Sequence, residues 1–241
     1  MLFVKRATMT EPLSENSSLL CPVCAEKPID TAALMLWGSG LIVTYRFLHR
    51  RLVGCNSCVR RQLRQRAAHS ALVGWLSLPA LLINPFLVLY NLFRGLTVRA
   101  DPERVARTFQ KLGLSTDGSP SLASAGHALA AAMIAADGLV DPGELKVARS
   151  LGPRRFDGFD PDQLEELVAS SRELPSARDL AQILRHVLTE EERTALFSFL
   201  YSIARADGQV SADERLLLKP VARNLGIDLD HWMAQVRGHG T

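Results

Sequence analysis

The chain has four cysteines, in two couplets of matched spacing, "CPVC" at Cys21 and Cys24 and "CNSC" at Cys55 and Cys58. Two cysteines separated by two residues can turn both sulfurs to one side. Two such knuckles brought together by the fold give the four-sulfur tetrahedral cage that Zn²⁺ prefers. A redox couplet is expected within a βαβ pattern and needs no second couplet. Structural disulfides require an oxidising compartment, and no export signal is visible at the N-terminus. The reading is therefore one structural zinc held by Cys21, Cys24, Cys55 and Cys58. A closed four-thiolate site leaves no position for water or substrate, so catalysis at it is not expected.

A second set of chemically interesting residues lies far downstream. "ADGLVDPGE", from Ala136 to Glu144, matches "ADGQVSADE", from Ala206 to Glu214, at an offset of 70 residues. Each copy ends in a matched "VARSLG" or "VARNLG". A cation shared by Asp137, Glu144, Asp207 and Glu214 is one reading. The other is local turn chemistry: Asp141 to Glu144 and Ser211 to Glu214 both read as helix-capping boxes. Asp137 and Asp207 close a helix, where the macrodipole disfavours a negative charge, so turn N–H groups, an arginine or a cation should compensate. The pattern resembles half of an EF-hand loop, but Met133, Ala135, Ile203 and Arg205 would occupy the first and third ligand positions, which excludes it. His127, His186 and His231 fall in expected helices without ligand spacing.

The elements that must position these groups divide the chain. Residues 1–100 carry 12 Lys/Arg against 4 Asp/Glu, and the remainder carries 16 against 21. A basic half thus meets an acidic half near Ala100, which marks a domain boundary. Residues 1–18 have no apolar core or cleavage site and read as a disordered tail rather than a signal peptide. Residues 19–66 read as a zinc-ribbon-like module, with strands on either side of a turn at Gly38–Gly40. Within residues 67–98, "SALVGWLSLPALLINPFLVLYNLF" from Ser70 to Phe93 has 24 residues and no charge. As a helix of about 1.5 Å per residue it could cross a bilayer core of about 30 Å. Trp75 and Tyr90 suit interfacial positions, and Arg60, Arg61, Arg64 and Arg66 mark the preceding side as cytosolic. Pro79, Asn84 and Pro85 interrupt the segment, and Arg94 and Arg99 also favour the inside. A single span would export the C-terminal half, whereas a bent, re-entrant hairpin in the cytoplasmic membrane would leave both halves in the cytosol. The sequence leaves the two open, with a buried helical hairpin of a soluble protein as the alternative.

Residues 99–241 read as an all-α bundle. Asp101-Pro102, Asp160-Pro161 and Ser176 supply helix starts, and Thr189 to Glu192 is a capping box. Leu196, Phe197, Leu200, Ile203 and Ala204 recur at helical spacing. The duplicated motif makes two helical hairpins sharing one core. These doubled "ADG-x-V-x-x-x-E" and Leu-Gly motifs resemble the TerB-like domain of tellurite-resistance proteins, over about residues 122 to 230. The resemblance implies a compact helical bundle with the acidic turns as a metal-associated site. The same domain fronts membrane-anchored J-domain co-chaperones, but His-Pro-Asp is absent and that activity does not carry over.

No Gly-rich phosphate loop, nucleophile elbow or HExxH occurs. The expectation is a non-enzymatic, membrane-associated zinc protein, a scaffold or sensor in metal or envelope stress with an unidentified protein partner. Nucleic acid is not expected as a partner, and the sequence identifies no small-molecule substrate. A membrane-associated thiol-disulfide oxidoreductase is the competing reading.

Overall fold

The structure is a computed structural model that describes residues 19–41, 44–73, 78–114, 120–136, 139–210 and 212–238. After the first cysteine couplet, β1 (Thr31–Leu41) and β2 (Thr44–Gly54) form an antiparallel hairpin, with Thr31 opposite Gly54 and Leu41 opposite Thr44. The turn expected at Gly38–Gly40 is not there. Gly38, Ser39 and Gly40 stay in β1, opposite Phe47, Arg46 and Tyr45. Residues that favour strands continue on both sides, so pairing runs through the glycines as far as Leu41 and Thr44.

β2 leads through Cys55 into α1 (Asn56–Val73), and α2 (Leu78–Thr97) returns along it. The apolar segment is thus not one continuous helix; it is divided between the end of α1 and most of α2. No described helix is long and apolar enough to cross a membrane by itself. Trp75 lies outside the described residues. Tyr90 does not face outward: its hydroxyl donates to the Leu34 carbonyl at 3.4 Å.

Asn84, which interrupts the apolar run in sequence, and Asn91 explain the packing. Asn84 donates to the Ser70 carbonyl at 2.7 Å and ties α2 to α1. Asn91 accepts from the Leu36 N–H at 3.3 Å and donates to the Leu36 carbonyl. Together with Tyr90 it occupies the open edge of β1, which would otherwise present unpaired backbone groups. Both asparagines are buried.

The remaining elements are α3 (Pro102–Lys111), α4 (Leu122–Ile134), α5 (Pro142–Arg155), α6 (Pro161–Ala169), a 3₁₀ turn (Ser171–Glu173), α7 (Ala177–Leu184), α8 (Glu190–Ala204), α9 (Ala212–Leu225) and α10 (Leu229–Gly238). Mainly helical architecture with a two-stranded sheet is what the sequence led us to expect. Asp101 and Asp160 cap α3 and α6 with proline in the first turn, Ser176 caps α7, and Thr189 and Glu192 form the reciprocal capping box of α8. α4 lies at the centre of the bundle, with Ala125, Ala128, Leu129 and Ala131 fully enclosed. The α4–α5 and α8–α9 pairs share one core that also takes in Ala32 and Val53 of the β-hairpin. Arg51 donates to the Thr108 hydroxyl, and the Asp101 N–H donates to the Asp30 carbonyl, so the basic and acidic halves pack against each other.

Candidate metal centre

The first couplet sits in a tight turn closed by backbone bonds. The Ala25 N–H donates to the Cys21 carbonyl and the Cys21 N–H to the Lys27 carbonyl, both at 2.8 Å. Ala25 adopts φ 54°, the left-handed conformation that reverses the chain just after Cys24. The second couplet is built differently. Cys55 directly follows β2 and its carbonyl accepts the Val59 N–H, so Cys58 lies in the first turn of α1. A knuckle and a helix start, rather than two strand knuckles, therefore supply the thiols.

All four Sγ atoms lie within 4.8 Å of one another, with Cys24 and Cys55 at 3.9 Å, and no pair is bonded as a disulfide. A tetrahedral zinc with Zn–S near 2.3 Å requires sulfurs about 3.8 Å apart, so the cluster fits with small adjustment. Cys21, Cys55 and Cys58 are buried and Cys24 is partly exposed. The thiols also oppose one another electrostatically. Burial pushes Cys58 up to about 12, helped by its contact with Cys55 and by negative charge at Cys21 and Cys55. Burial acts on Cys55 too, but the Ser57 hydroxyl and the Cys58 N–H favour its thiolate and bring it down to about 7. Four thiolates cannot coexist there without a cation. Among the described residues this is the one group of three or more metal-type ligands that the fold draws together.

The acidic turns are less complete. Asp137 lies outside the described residues, so the four-carboxylate arrangement is not defined. Asp207 accepts the Gln209 N–H at 3.1 Å beside Gly208 at φ 97°, which supplies the turn N–H its helix-end position needs. Asp141 caps α5 by accepting the Gly143 and Glu144 N–H groups. Glu144 and Glu214 are partly buried. Ser211 is outside the described residues. His186 falls in the turn after α7, and His231 lies on α10. His127 is buried in α4, where Nε2 accepts the Asp160 N–H at 2.8 Å and the ring stacks on Phe159.

Residues 123–235 match the family model described as tellurite resistance protein TerB. The C-terminal half carries a TerB domain. No curated protein and no solved structure matches the chain. The match covers α4 to α10, and the thiol cluster, the β-hairpin, α1 and α2 precede it in the chain.

Sequence reasoning missed one surface of that preceding segment. Leu82, Phe86, Leu89, Phe93 and Leu96 follow a 4-3-4-3 spacing on α2 and are each more than half exposed, with Phe86 at 74%. Asn84, Leu87, Asn91, Gly95 and Val98 are all buried and lie about 180° away at 3.6 residues per turn. The spacing was readable, but the apolar run hid it because nearly every position is apolar.

Proposed function

We propose that this chain is a non-enzymatic adaptor that holds its TerB domain against a membrane surface, with a structural zinc bracing the module that makes the contact. The exposed apolar face of α2 carries the reading. Contiguous exposed Leu and Phe on a folded domain mark an interaction surface. The contact is a lipid-facing helix hairpin that enters from one side rather than a span. Arg60 holds the base of that hairpin by donating to the Gly95 and Leu96 carbonyls. Zinc bound by Cys21, Cys24, Cys55 and Cys58 would supply folding free energy rather than reactivity. Thiolate ligands and the arginine excess suit the cytosolic side of the inner membrane. A scaffold or sensor role in metal or envelope stress follows the family's association with tellurite resistance. The oxidoreductase alternative has less behind it, because three of the four thiols are buried.

Cell fractionation tests the reading. The chain should sediment with membranes and be released by detergent, whereas Phe86→Gln/Phe93→Gln should move it to the soluble fraction. Recovery of the unaltered chain in the soluble fraction would sink the proposal.

A further inference from the structure

The apolar face of α2 ends at a cluster of arginines. The Leu96 carbonyl, at the base of the stripe, accepts from Arg60. On α1, exposed Arg61 and Arg64 line a shallow concavity with Ser57, Cys58 and Gln65. Residues 31–100 contain nine arginines and no lysine, aspartate or glutamate. Within that stretch no carboxylate stands beside these guanidiniums in sequence.

The stripe from Leu82 to Leu96 is about 21 Å long at 1.5 Å per residue. A binding partner must therefore offer an apolar surface of that length next to anionic oxygen. A phospholipid leaflet offers both, since interfacial helices bury their apolar face about 5–10 Å deep, beneath the phosphates. A nucleic acid would satisfy the arginines and leave the Leu/Phe stripe in water. A second copy meeting α2 to α2 would bring together two segments, residues 31–100 of each, that carry nine arginines and no carboxylate, which is repulsive.

We infer that the outer face of α2 and the Arg61–Arg64 concavity together dock on an anionic phospholipid surface, the stripe entering the acyl boundary and the arginines taking lipid phosphates. The inference rests on the membrane reading above and adds the headgroup class.

Flotation of the full-length protein with phosphatidylcholine vesicles, alone or doped with phosphatidylglycerol, tests it. Binding should be tighter to the doped vesicles. Arg61→Gln/Arg64→Gln should weaken that binding roughly 30-fold, at about 1 kcal/mol per arginine near the surface, and leave binding to pure phosphatidylcholine unchanged. Added salt should erode only the arginine-dependent part. Equal binding to both vesicles, or an indifferent double variant, overturns the headgroup inference and leaves membrane docking standing. Absence of binding to either, by protein with native circular dichroism, overturns both. A dimer in lipid-free buffer that Phe86→Gln/Phe93→Gln converts to monomer, with vesicle binding retained, assigns the stripe to a second copy and overturns the inference. So does salt-sensitive binding to duplex DNA in place of vesicles.

Discussion

Helices α2 and α4 are both strongly apolar, and the fold uses them in opposite ways. α4 is rich in alanine and buried around nearly its whole circumference, from Ala123 to Ile134. Small side chains let neighbouring helices approach from every side. Among its described side chains, α2 buries the line through Asn84, Leu87, Asn91 and Gly95, and turns large Leu and Phe side chains outward. Apolar content alone does not separate a core helix from a docking helix. Side-chain size does, together with the polar residues, which mark the face that meets protein. In α2 those residues are the asparagines.

The comparison breaks most completely if the platform under α2 is removed. Cys58→Ser, or a strong chelator, should abolish bound zinc and raise hydrogen exchange across β1, β2 and α1. The apparent free energy at stake is on the order of 10 kcal/mol in zinc-finger peptides. The TerB bundle should keep its own protection, since its core is made almost wholly from α3 to α10. Unchanged exchange in the β-hairpin of zinc-free protein would show that the thiol cluster braces nothing.

Truncating a side chain on each helix gives a direct contrast. Leu129→Ala, in the fully enclosed core, should cost about 2–5 kcal/mol in denaturant unfolding. Phe86→Ala removes a larger side chain, yet it should fall within about 0.5 kcal/mol because its ring is already in water. Equal losses would mean that α2's outer face is covered within the chain. Next in size is Asn91→Ala, which leaves the Leu36 N–H and carbonyl without their partner at about 1–3 kcal/mol, read as faster exchange at Leu36.

The sequence made the thiol cluster, the cap residues and the duplicated helix pairs legible, because each is a local pattern with one physical cause. What it hid depends on contacts distant in the chain. Gly38 and Gly40 look like a turn until the strand register carries them through. The matched Leu-Gly endings look equivalent and are not. Gly226 takes φ +77° after α9, whereas Gly152 lies inside α5 with Phe159 packed where a Cβ would stand. One glycine is needed for its backbone and the other for its lack of a side chain. Asn84 looks like a break in an apolar run because its partner, Ser70, lies on another element, and nothing in the run marks Asn91 as the partner of Leu36.

The smallest expected effect tests how closed α4 is. His127 sits on that helix, and burial holds its imidazole below the ordinary value of 6.5, against a weaker upward pull from the Asp160 carboxylate. Nε2 accepts the Asp160 N–H, so the proton of the neutral ring belongs on Nδ1, which is buried without a partner. Protonating Nε2 would break that bond and place a charge beside Phe159. Because the folded value is depressed, the unfolded chain binds the proton first. Stability is then complete above about 6.5 and falls as the pH drops from there through the folded value. Chemical unfolding between pH 7 and 5 should show this slope, and His127→Gln, which keeps an acceptor for the Asp160 N–H, should flatten it. A slope identical in the variant would assign the acid sensitivity to other groups. A comparable slope is not expected from α2, whose two buried polar side chains are amides and do not titrate.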